Sequence, residues 1–137
     1  MSALKNPPVE ISALVERVIA LGGRVVSTQS NGPHELHEMA VGDLGIHLRR
    51  DYDRWFVNIS ARGGEPAPAS FWVAAAREVR TVPDDPTAHR WVVELAELLP
   101  TVLEHLVTVS ATVAEIAAAY RSELESRLRP PPRHEGS

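Results

Sequence analysis

The side chains best able to do chemistry are gathered in His34-Glu35-Leu36-His37-Glu38. Imidazoles and carboxylates so close together suggest a metal site. A zinc-protease helix needs His-Glu-x-x-His, which sets both imidazoles on one helical face. Here the spacing is His-x-x-His, and the segment runs from a turn into a strand. In a strand, positions i and i+3 point to opposite faces, so His34 and His37 do not converge. No metal and no cofactor is expected.

His47 with Glu38 opposite it is a second candidate. Such a pair can act as acid and base, but across a solvated sheet face it is more simply a charge pair worth a few tenths of a kcal/mol. No third group completes a nucleophilic triad, and Ser27, Ser60 and Ser70 lack the Gly-x-Ser-x-Gly turn. Neither of the glycine-rich phosphate-binding motifs occurs. Gly42-x-x-Gly45 is a hairpin feature. The chain therefore reads as non-catalytic.

Recognition is better served. Asp51-Tyr52-Asp53-Arg54-Trp55 places an aromatic, an arginine and two carboxylates at a turn. Turns held out by a rigid hairpin make good recognition sites, and Tyr, Trp and Arg are enriched among binding hot spots. The bland reading puts Trp55 in the core and leaves the rest to serve the turn. Farther on, Glu94, Glu97 and Glu104 lie on the polar side of a helix. They form either a solvated face or an acidic patch for a basic partner.

The elements that must hold these residues are legible from periodicity. Asn6-Pro7-Pro8 looks like a helix start, and Ile11, Leu14, Val15, Val18 and Ile19 recur at helical spacing up to Gly22-Gly23. A short strand follows at Arg24–Thr28, then the turn signal Asn31-Gly32-Pro33. Another strand runs from about Glu35 to Val41. Gly42-Asp43 suits a two-residue type II′ turn, which sets Met39 opposite Ile46 and Glu38 opposite His47.

Leu44, Ile46 and Leu48 alternate with polar residues, as do Trp55, Val57 and Ile59. A turn over Arg50–Asp53, closing at Arg49 and Arg54, predicts Leu48 opposite Trp55 and His47 opposite Phe56. One sheet face then carries Met39, Val41, Leu44, Ile46, Leu48, Trp55, Val57 and Ile59. The other carries Glu38, His47, Arg49, Arg54, Phe56 and Asn58.

Ala69–Val79 predicts a short helix containing Phe71 and Trp72. Asp85-Pro86 repeats the N-cap and first-turn pattern, and a long helical pattern starts there and keeps its apolar phase across Pro100. Unbroken, it would be about 60 Å long at ~1.5 Å per residue. Val107-Thr108-Val109-Ser110 is poor in helix formers, and Thr112-x-x-Glu115 resembles a capping box. A break near 107–111 is expected, giving a helical hairpin. A continuous rod that forms a homodimer through the C-terminal helices is the alternative.

The fold class is therefore α+β: an N-terminal helix, an antiparallel β-meander of three or four strands, then three helices packed on one sheet face. A single domain over residues 6–128 is expected, with a disordered Pro-rich tail at 129–137. Cysteine is absent, which removes disulfides and thiolate chemistry. Net charge is −4, and Lys5 stands alone among thirteen arginines. That balance does not suit general nucleic-acid binding. No apolar run approaches the ~18 residues of a membrane span, and a cytoplasmic location is expected.

Leu48-Arg49-Arg50-Asp51-Tyr52-Asp53-Arg54-Trp55-Phe56-Val57 resembles a pattern in small immunity-type proteins of bacterial polymorphic toxin systems. There, a strand ending in Arg-Asp, a charged turn and a Trp-Phe strand precede a loop and a Trp-containing short helix, matched here by Phe71-Trp72. An acidic-apolar helix with a central Leu-Pro follows, matched by Leu98-Leu99-Pro100, and then an Arg- and Leu-rich final helix, matched by Arg121–Leu128. The resemblance spans about residues 36–128. The usual turn has Asp-Arg-Gly before the Trp, where this chain has Asp-Tyr-Asp-Arg. The resemblance implies an immunity protein that binds and occludes a cognate toxin domain. The alternative partner is a secreted effector, with the chain as its secretion chaperone or adaptor.

Overall fold

The computed structural model describes residues 7–128. Asn6 and the tail at 129–137 lie outside the described residues. Helix α1 (Val9–Ala20) leads into strands β1 (Arg24–Asn31), β2 (His34–Val41), β3 (Leu44–Asp51), β4 (Arg54–Ala61) and β5 (Ala67–Pro68). Helices α2 (Ala69–Ala76), α3 (Arg90–Glu104) and α4 (Leu106–Leu128) complete it. The fold is α+β as expected, with five strands in place of three or four. All strands are antiparallel neighbours in the order β1-β2-β3-β4-β5.

Helix α1 ends as its glycines dictate. Gly22 takes φ 90°, and the Gly23 N–H returns to the Val18 carbonyl at 2.8 Å. A side chain at Gly23 would collide with Val18 and with the Ala40 carbonyl. This glycine therefore also lets the helix end pass close to β2.

Strands β1 to β4 are each eight residues long and are joined by two-residue turns, so a turn recurs every ten residues. Gly32, Gly42 and Tyr52 occupy the first central position of successive turns, with φ of 63°, 55° and 58°. The second position is not left-handed in any of the three. That is the type II′ pattern. At Gly42-Asp43 the expected turn and register are seen, with Met39 opposite Ile46 and Glu38 opposite His47.

The β3–β4 hairpin differs from expectation. It closes at Asp51 and Arg54, two rungs beyond Arg49 and Arg54, so Leu48 faces Val57 and His47 faces Asn58. The physical reason is that Arg50 and Asp51 find partners in the ladder and are not consumed by the turn. An even shift keeps side chains on their faces. Met39, Val41, Leu44, Ile46, Leu48, Trp55, Val57 and Ile59 are all buried on the covered face.

That face meets Ile11, Leu14 and Val18 of α1 and the almost wholly buried α2. Trp72 of α2 donates its indole N–H to the Ile59 carbonyl at 3.0 Å, tying α2 to β4. Strand β1 is different. It is exposed along nearly its whole length, including Val25 and Val26.

Three helix boundaries depart from expectation. Helix α2 stops at Ala76, three residues before Val79. Asp85 does not cap α3. Its φ of 50° is left-handed, whereas an N-cap needs extended backbone, and α3 starts five residues later. The break between the last two helices falls at the single residue His105, just ahead of the expected 107–111, and both helices pack on α2. Thr112 is not a cap: its hydroxyl donates to the Thr108 carbonyl at 3.2 Å within α4. Helix α4 packs on α2 through Val109, Val113 and Ile116, with Tyr120 edge-on to Phe71 at 5.5 Å.

Candidate functional site

The β3–β4 turn stands at the same end of the sheet as the β1–β2 turn, and the two are bonded together. The Tyr52 N–H donates to the Pro33 carbonyl at 2.9 Å. Arg50 Nη1 donates to the Tyr52 carbonyl at 2.7 Å. Tyr52 is thus held at both of its backbone groups, in a left-handed conformation that costs a residue with a Cβ roughly 1–2 kcal/mol. Its side chain is 66% exposed, with the His34 ring edge-on at 5.3 Å.

Asp51 is fixed beside it. Its carboxylate lies 2.7 Å from His34 Nδ1 and 3.4 Å from Arg49 Nε. Arg54 and Arg49 both lie over the Phe56 ring, at 5.7 and 4.8 Å from its centroid. Asp53 is exposed. Asp51, Tyr52, Asp53 and Arg54 therefore form one patch, supported from the outer sheet face by Phe56 and His34.

Beneath the turn, on the covered face, lies a buried polar group. Glu35 and His37 alternate in step with Met39 and Val41, so they share the apolar face, and both are 4% exposed. Arg50 Nε donates to Glu35 Oε2. His37 Nε2 lies 3.3 Å from Glu35 Oε1. Burial alone would raise the Glu35 pKa, but the hydrogen bonds from Arg50 and His37, with their charge, outweigh it and hold the carboxyl below its ordinary value.

The acidic residues of α3 are more scattered. Glu94 is half-buried, with Arg77 Nη1 at 3.0 Å from its Oε2, though off the hydrogen-bond axis. Glu97 and Glu104 are exposed. Glu104 is about 15 Å along the helix from Glu94. It follows Leu103, which packs by Gly42 at the opposite end of the sheet from Tyr52. The structure does not join Glu104 to the hairpin tip.

His34 and His37 do point to opposite faces, one exposed and one buried. Among the described residues, no three His, Asp or Glu side chains converge as metal ligands would. On the outer face, His47 turns to Ser60, with Nε2 and Oγ 2.9 Å apart. The bare Cα of Gly45 leaves room for that pair. Among the described residues no carboxylate hydrogen-bonds the other His47 nitrogen. The depression beside it, lined by Gly42, Asp43, Gly45, Ser60 and Gly63, is broad and open, about 460 Å³.

No family model matches the chain, and comparisons with curated proteins and with solved structures also find no match. Among the described residues, no helix is long and apolar enough to cross a membrane.

Proposed function

We propose that the chain is a non-catalytic protein-binding module, an immunity protein that binds a cognate bacterial toxin domain and occludes it. The observation that carries this reading is Tyr52. The two neighbouring turns use glycine at the same position, with the same sign of φ. A bulky, exposed aromatic held there against its own backbone preference is better explained by what it touches than by what it does for the fold. Tyr52 is the anchor in this reading, Arg54 and Asp53 flank it, and Glu94 and Glu97 steer a basic partner.

The experiment is co-purification with the C-terminal domain of a large secreted protein encoded beside this chain, followed by an activity assay of that domain. A stoichiometric complex that abolishes toxicity supports the reading. Full toxicity in the presence of excess folded protein refutes it.

A second reading is favoured by β1. Among the described residues its outer edge pairs with no strand, and that edge with the exposed Val25 and Val26 suits the addition of an extended strand from a secreted effector. A secretion chaperone would bind an unfolded cargo segment there and leave a folded toxin domain untouched.

A further inference from the structure

We infer that Glu35 is a positioning residue for the tip: through Arg50 it sets the backbone geometry in which Tyr52 is presented. The inference rests on the binding reading for its purpose, and on geometry alone for its operation. Glu35 is buried and lies on the covered face, away from any contact a partner makes with the turn. Its Oε2 accepts from Arg50 Nε, and the same guanidinium donates through Nη1 to the Tyr52 carbonyl at 2.7 Å.

A planar guanidinium presents its donors in a fixed fork, so anchoring Nε on Glu35 aims Nη1 at that carbonyl. His37 occupies the other carboxylate oxygen at 3.3 Å, and its ring is stacked on Trp55, which stands opposite Arg50 in the ladder. The carboxylate is therefore held from two sides and has little freedom to release the arginine. The Pro33 carbonyl takes the Tyr52 N–H from the other direction. Gly32 and Gly42 need no such clamp, because glycine adopts positive φ without a steric penalty.

Amide hydrogen exchange on the full chain tests this, with no partner required. In Glu35→Gln the shape is kept and the charged acceptor is lost. The Tyr52 amide should then exchange about tenfold faster. Amides at the Gly42-Asp43 turn should keep their rates, since a general loss of stability would move both. In a Tyr52→Gly background the same Glu35→Gln change should leave the residue-52 amide rate unaltered, because glycine holds the turn unaided.

Where Glu35→Gln fails to fold, Arg50→Lys carries the test, since lysine keeps the charge and loses the fork. An unchanged Tyr52 rate, or an equal acceleration at both turns, overturns the inference. A confirmed clamp in a protein that leaves the toxin domain fully active would refute the binding reading and leave the clamp standing.

Discussion

The His37 ring lies stacked on Trp55, with centroids 6.3 Å apart and planes 22° from parallel. One side of this imidazole thus meets the apolar core, while its Nε2 reaches the buried Glu35 carboxylate. Trp55 also stands opposite Arg50 in the ladder, so its ring flanks the Glu35–His37–Arg50 group. Its own carbonyl lies 3.3 Å from His89 Nε2, just ahead of α3.

Trp55→Ala should therefore cost about 3–5 kcal/mol, as expected for truncating a buried aromatic. Urea unfolding of the purified variant measures it. A loss below ~1 kcal/mol would mean that the residue is not the core element its 4% exposure indicates.

Glu35 should make stability sensitive to acid. Its folded pKa lies below the unfolded one. The stabilisation is therefore present above the unfolded value, about 4.3 for glutamate, and is lost as pH falls through the folded value. Glu35→Gln should be less stable near neutral pH and show a flatter fall in stability below about pH 4.3. Thermal unfolding of both proteins from neutral to acid pH checks this. Parallel curves would remove the role assigned to the carboxylate.

Charge on α3 should act on the rate of encounter. Glu94→Lys with Glu97→Lys should slow association with a basic toxin domain and weaken its dependence on salt, leaving dissociation nearly unchanged. Stopped-flow association at several salt concentrations reads this out. An unaltered association rate would confine the interface to the hairpin tip.

Much of this was legible in the sequence, for a physical reason. Strict alternation over Leu44–Leu48 and Trp55–Ile59 assigns faces whatever the turn length, because a two-residue error in register preserves side-chain direction. The turn itself is not legible, because Arg50 and Asp51 look like turn formers, and nothing local says that Arg50 has a buried carboxylate to reach. Glu35 and His37 carried the right period, but polarity hid it. The ten-residue spacing of Gly32, Gly42 and Tyr52 was obscured because the third position is not glycine. The break at His105 has no local sign, while the Thr112 hydroxyl bonds inside the helix.

Tyr52→Gly tests the central claim most directly, because it separates folding from binding. The substitution removes a Cβ from a left-handed position and should stabilise the free protein by about 1 kcal/mol. In a complex with the proposed toxin domain, it should also speed dissociation about thirtyfold, the loss of a ~2 kcal/mol hot spot. Urea unfolding and surface-plasmon dissociation rates on the same preparation give both numbers. A more stable protein that releases its partner faster is the predicted result. A dissociation rate equal to that of the unaltered chain, with the fold intact, would contradict the account.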